Sequence, residues 1–156
     1  MTYIRTDEGW LYLAVLLDLY SRRIVGWSMG KRMTTQLPLR ALHMAVQHRR
    51  PPAGLLHHTD RGSQYASKEY QSALKAYGMF CSMSAKGRSY DNAVAESFFH
   101  SLKVELVYRK TFRSREDAIS EVFKYIETFY NNQRMHSTLD YKTPAEYERS
   151  ALLKAA

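Results

Sequence analysis

The run WLYLAVLL, residues 10–17, constrains this chain most. Every position is apolar, so an extended conformation puts apolar side chains on both faces. Such a strand needs cover on both sides, as central strands in sheets flanked by helices have. Its flanks argue for a strand. Asp7-Glu8-Gly9 before it and DLYSRR after it are turn chemistry. Residues 2–5 on one side and IVGWSM, residues 24–29, on the other are β-prone. The expectation is an antiparallel meander of three strands with the second in the middle.

The period then changes. Leu37, Ala41, Met44 and Ala45 recur at helical spacing, and Pro51-Pro52 ends that helix. Residues 54–58 are too few for a helix and read as a buried fourth strand. Tyr70, Ala73, Leu74 and Tyr77 mark a second helix, with Ser67 as its N-cap and Gly78 as its stop. Residues 79–83 read as a fifth strand, and SAKGRSYDN after them as a polar loop. Asp91 or Asn92 caps a helix to about Leu106. Ser114-Arg-Glu-Asp117 resembles a capping box for a long helix to about Asn132, and Thr143-Pro-Ala-Glu146 is a fuller one. The order βββαβαβ followed by helices gives an α/β fold: a five-stranded mixed sheet with helices on both faces and further C-terminal helices. A ferredoxin-like split β-α-β unit needs fewer strands at the start.

The chain has 156 residues and 45% hydrophobic content, enough for one domain with its own core over residues 1–156. Its formal net charge of +8 favours an acidic partner, nucleic acid first and an anionic membrane surface second. A single cysteine, Cys81, excludes an intrachain disulfide and a Cys-based zinc site. No signal segment and no stretch of membrane-spanning length stands out, so the expectation is a soluble cytoplasmic protein with no membrane contact.

The stretch GLLHHTDRGSQY ends a short apolar run at Asp60. Ligands in open α/β sheets bind beyond the carboxyl ends of strands, although an Asp there also makes a turn by accepting from an amide two residues on. On the helix expected after residue 92, Ala95, Phe99, Leu102 and Leu106 form one stripe, and Glu96, His100 and Lys103 form a second beside it. That second stripe suits a solvated face with internal ion pairs. It equally suits a metal-binding carboxylate backed by phosphate-binding cations. Two carboxylates brought together repel unless a cation lies between them. Mg²⁺ prefers such oxygen ligands, and metal ions of this kind serve phosphoryl transfer. A basic chain with that site points to cutting or joining nucleic acid. His57 and His58, adjacent in a strand, point to opposite faces and suit hydrogen bonding better than one shared metal. The twelve tyrosines suit core packing first and base stacking second.

Asp60 and Glu96, with HTDRGSQY, SYDNAVAESFFHSLKVEL and FYNNQRMHSTLDYKTPAEY, resemble the integrase catalytic core of bacterial insertion-sequence transposases. The group is the insertion sequence three type, in which a second reading frame supplies the core. The resemblance extends over essentially the whole chain, including GWLYLAVLLDLYSRRIVGWSM. It implies a ribonuclease H-like fold and metal-dependent cleavage and strand transfer in DNA transposition. It implies Mg²⁺ or Mn²⁺ as cofactor, and insertion-sequence ends, target DNA and other copies of the chain as partners. Asp60 and Glu96 would be catalytic metal ligands. Lys103 and His100 would meet phosphate, and Lys86 and Arg88 would lie where DNA approaches. Asn131, Asn132, Arg134 and His136 match the C-terminal signature, without an assigned role. The family's first aspartate, in a pattern like Asp-Ile-Thr-Tyr-Ile, would fall just before Met1, and the family's DNA-recognition helices are not in the chain. The expectation is an N-terminally shortened core with impaired activity. The alternative is an inactive DNA-binding or oligomerisation module. Asp18 suits a turn between strands rather than a replacement ligand, and Asp7 and Glu8 suit the hairpin turn.

Overall fold

The computed structural model describes residues 1–83 and 92–156. The expected strands and helices are present in the expected order: β1 (Thr2–Thr6), β2 (Gly9–Leu17), β3 (Ile24–Gly30), α1 (Gln36–Arg49), β4 (Leu56–Thr59), α2 (Lys68–Ala76), β5 (Phe80–Met83), α3 (Ala93–Glu105), α4 (Arg115–Lys124) and α5 (Pro144–Ala155). Among the described residues the strands form two ladders. One is antiparallel in the order β1-β2-β3, and the other pairs β4 with β5 in parallel. The expected continuous five-stranded sheet is therefore hydrogen-bonded as three strands and two. β4 begins at Leu56, two residues later than expected, because Gly54 has φ +98° and bonds Gly78 as a turn.

β2 shows why its run is apolar throughout. Leu11 and Leu13 face a core built with Phe98, Leu102, Phe112, Val122 and Ile126, with Val15 and Leu17 packed against it. Ala14, on the opposite face, packs with Leu37 and Ala41 of α1, and Tyr12 and Leu16 lean on that cluster. Burying each large side chain contributes roughly 1.5–3 kcal/mol, so both faces of one strand anchor the two helical layers.

Three of the four expected helix starts read correctly, and Asn92 stands at the start of α3 without a side-chain cap bond. Ser67 accepts from Tyr70 N, Ser114 from Asp117 N, and Thr143 with Glu146 forms a complete capping box after which Pro144 opens α5. The helix expected to run unbroken to Asn132 changes to π-helical winding over Tyr125–Tyr130, where Asn131 N donates to Ile126 O at 3.1 Å. Propensity does not distinguish the two windings, and π turns are often set by what they orient. Here that is Asn131, which is buried. Its Oδ1 accepts from Ile24 N at 2.9 Å and its Nδ2 donates to Ile24 O at 3.0 Å, pinning the start of β3. Arg134 donates to Glu105 and to Ser101 Oγ, and Tyr125 donates to Glu105 at 2.6 Å, so the same segment is tied to α3. Asn131 and Arg134 therefore hold the fold together.

Candidate functional site: Asp60, the start of β1 and the α3 face

Asp60 directly follows the last residue of β4 and is exposed. Its Oδ1 accepts from Gly62 N at 2.7 Å, the turn bond that this residue type makes two positions on. The turn role and a ligand role use different lone pairs of one carboxylate. What the sequence alone did not reveal is the neighbour. Burial pushes the Met1 amino group below the ordinary range for an N-terminus, and the charge of Asp60 pushes it back up. The Met1 nitrogen, just before β1, therefore lies within the field of Asp60. Tyr65, buried beside the same turn, has its phenol pushed up by burial and then by Asp60.

Glu96 lies exposed in the first turn of α3, and His100 is exposed one turn on. The packed face of α3 differs from the expected stripe. Phe98, Leu102 and Leu106 are buried, whereas Ala95 and Phe99 are only partly covered. Phe98 stacks edge-on against Tyr130 at 4.8 Å, and this distant aromatic partner turns the helix away from the orientation its own pattern suggests. Lys103 does not pair with Glu96. Its Nζ donates to Tyr3 O in β1 and lies 5.2 Å from the Tyr3 ring centroid. Partial burial lowers its pKa. β1 thus holds the α3 cation at its second residue, Tyr3, and Met1 just before it feels the charge of Asp60. Lys86, Arg88 and the alternative cap Asp91 lie outside the described residues.

Among the described residues no three His, Cys, Asp or Glu side chains cluster as a ready metal cage. Asp60 and Glu96 nevertheless suit a hard divalent ion. Both are exposed carboxylates and neither is held in an ion pair among the described residues. Mg²⁺ commonly takes one or two carboxylates and leaves its other positions to water and phosphate.

The remaining acidic and histidine residues have local duties. Asp18 accepts from Tyr20 N and Ser21 Oγ in the β2–β3 turn, as expected. Asp7 and Glu8 form the hairpin turn, and Glu8 also accepts from Arg115 N at 2.8 Å, bonding the first residue of α4. His57 and His58 take separate partners, Tyr70 OH at 2.9 Å and Ser82 Oγ at 3.1 Å.

Burial, then the neighbouring His58, lowers the His57 pKa to about 4. A histidine depressed in the folded state contributes stability that is full above its unfolded value of about 6.5. That contribution is lost as pH falls towards and below 4, and is on the order of 3 kcal/mol in total. Thermal melts from pH 7 to pH 4 should show the loss. His57→Gln, which keeps an acceptor for Tyr70, should make the profile shallower, while His136, also lowered to about 4 by burial, keeps its own share. An unchanged slope in that variant would remove His57 as the cause.

The sequence profile of the integrase core domain matches residues 1–89, and a second integrase core domain profile matches residues 96–152. The chain belongs to the integrase core domain family. Within the family it is of the bacterial insertion-sequence transposase type. It is 53% identical over 152 residues to transposase InsF for insertion sequence IS3A of Escherichia coli (strain K12), a match that takes in 97% of this chain and 53% of that protein. It is also 53% identical over 149 residues to the transposase for insertion sequence element IS904 of Lactococcus lactis subsp. lactis (strain IL1403), covering 96% of this chain and 59% of that one. The chain thus spans little more than half the length of the curated relatives it matches.

Among solved structures, the simian T-cell lymphotropic virus intasome in complex with PP2A regulatory subunit B56 gamma superposes with a TM-score of 0.76 at 20% identity, over 94% of this chain and 51% of that one. The HTLV-2 integrase catalytic core domain in complex with magnesium, in its trimeric form, gives 0.67 at 18% identity, over 94% and 90%. The fold of this integrase core is ribonuclease H-like, as the family resemblance implied. Among the described residues no helix is long and apolar enough to cross a membrane.

Proposed function

We propose that this integrase core cuts DNA at insertion-sequence ends and joins the freed 3′ ends to target DNA. The observation that carries the reading is the match of the chain to the integrase core domain, with Asp60 at the end of β4 and Glu96 exposed in the first turn of α3. Asp60 and Glu96 would hold the divalent ion. When bound, Mg²⁺ or Mn²⁺ would supply positive charge against phosphate oxygens and acidify the attacking water or hydroxyl. Lys103, fixed on β1, has donors left over after its bond to Tyr3 and would meet a phosphate of the DNA end. His100 would add a second contact from the same helix face. Lys86 and Arg88 would meet the DNA from the segment before α3.

A residue joined to the Met1 nitrogen would stand at the Asp60 turn. A carboxylate there would complete a three-carboxylate site with Asp60 and Glu96. The magnesium-bound HTLV-2 relative supports the choice of ion for a fold of this shape. Its dimeric and trimeric forms support assembly of several copies. The test is a Mn²⁺-dependent cleavage and joining assay on duplexes carrying insertion-sequence ends, with the chain as it stands and with one Asp added before Met1. Cleaved and joined products from the extended chain, and far fewer from the shorter one, are expected. Equal turnover by both would refute the need for the third carboxylate. No products from either would refute the reading as a whole.

A further inference from the structure

A cleft of about 750 Å³ opens along β1, the terminal strand of the three-stranded ladder, and the segment joining α3 to α4. Its walls carry Tyr3, Arg5, Trp10, Lys103, Tyr108 and Lys110. Register explains the aromatic side. Arg5 stands opposite Trp10 across the β1–β2 ladder, and Tyr3 lies diagonal to it with ring centroids 4.9 Å apart. Tyr3, Trp10 and Tyr108 are 52%, 46% and 75% exposed, so these rings offer surface to the cleft and do not fill a core. Three cations face them against one carboxylate on the lining, Asp7. Lys110 is held by Glu121, and Lys103 is steadied by the Tyr3 carbonyl. Arg5 is exposed and forms no ion pair among the described residues.

We propose that this cleft binds unpaired nucleotides, stacking bases on Trp10 and Tyr108 while Arg5, Lys103 and Lys110 track the phosphates. The proposal rests on the DNA reading above and adds a site to it. Exposed aromatic rings interleaved with cations are the usual platform for single strands, because every unpaired base offers a π face and a duplex hides those faces in its own stack. An acidic peptide would satisfy the cations but would leave the aromatic faces unused. Lys103 belongs both to this cleft and to α3, the helix that carries Glu96, so a strand in the cleft lies along that helix.

The test uses the Trp27→Phe chain, in which Trp10 is the remaining tryptophan, titrated with oligo(dT) and separately with a hairpin duplex. Oligo(dT) is expected to quench the Trp10 emission. In the otherwise unchanged chain, Trp10→Ala and Tyr108→Ala should each weaken oligo(dT) binding by about tenfold and duplex binding by no more than about twofold. Tyr108 is exposed and outside the core clusters, so its variant tests the idea even if Trp10→Ala folds poorly. Absence of quenching, equal losses for single strand and duplex, no loss in Tyr108→Ala, or displacement by polyglutamate as readily as by oligo(dT) would each overturn it. The two readings fail separately. Oligo(dT) binding as described with no metal-dependent cleavage would sink the catalytic reading and leave the cleft. Cleavage with oligo(dT) binding indifferent to Tyr108 would do the reverse.

Discussion

Replacing Glu96 with glutamine, in the chain carrying an Asp before Met1, is expected to lower Mn²⁺-dependent DNA cleavage by at least about a hundredfold. Residues that merely support a metal ligand typically cost 10–100-fold when changed, so loss of a ligand itself should reach or pass the top of that range. Glutamine keeps the length and one oxygen but removes the charge that offsets the ion. Glu96 is exposed on α3 and outside the core clusters. The variant should therefore melt within about 0.5 kcal/mol of its parent, as surface changes do. Joining should fall with cleavage, because on the proposed reading both steps would use the same carboxylates. Full activity in the folded variant would remove Glu96 from the site.

Gly26→Ala is the change expected to damage the fold most. A Cβ built at Gly26 would fall on the carbonyl oxygen of Ala41 and lie 2.8 Å from Ala45 Cβ. Both obstacles belong to the small-residue face of α1, so neither can swing aside as a long side chain would. Relief requires moving the helix off β3, and with it the packing of Leu37 and Ala41 on Ala14. Overpacking ordinarily costs about 1–3 kcal/mol. A clash with backbone belongs at or beyond the upper end. Urea unfolding should show a midpoint shift equivalent to at least about 3 kcal/mol. A shift under about 1 kcal/mol would mean that α1 sits more loosely on the sheet than the structure shows.

These two residues illustrate what the sequence exposes and what it withholds. The two-faced apolar run of β2, the proline that opens α5 and the caps at Ser67, Ser114 and Thr143 act through neighbours a few residues away or through simple period, and each could be read directly. Asp60 and Glu96 were legible as site candidates through strand end, helix face and family resemblance. The close approach at Gly26 was not legible, since it depends on which helix lies above β3. The packed face of α3 was misjudged for a related reason: Tyr130 recruits Phe98 from far along the chain. The π winding that aims Asn131 at Ile24 is likewise a long-range bargain with no local signature. Lys103 was expected to face solvent or phosphate, and only the fold shows it first bound to the β1 backbone.

The most direct test of a shared ion between Asp60 and Glu96 is an electron paramagnetic resonance titration of Mn²⁺ on the chain with Asp added before Met1. Bound Mn²⁺ is predicted for the parent, with affinity falling at least about tenfold in Asp60→Asn and again in Glu96→Gln taken alone. Parent-like Mn²⁺ binding in either folded variant would contradict the account.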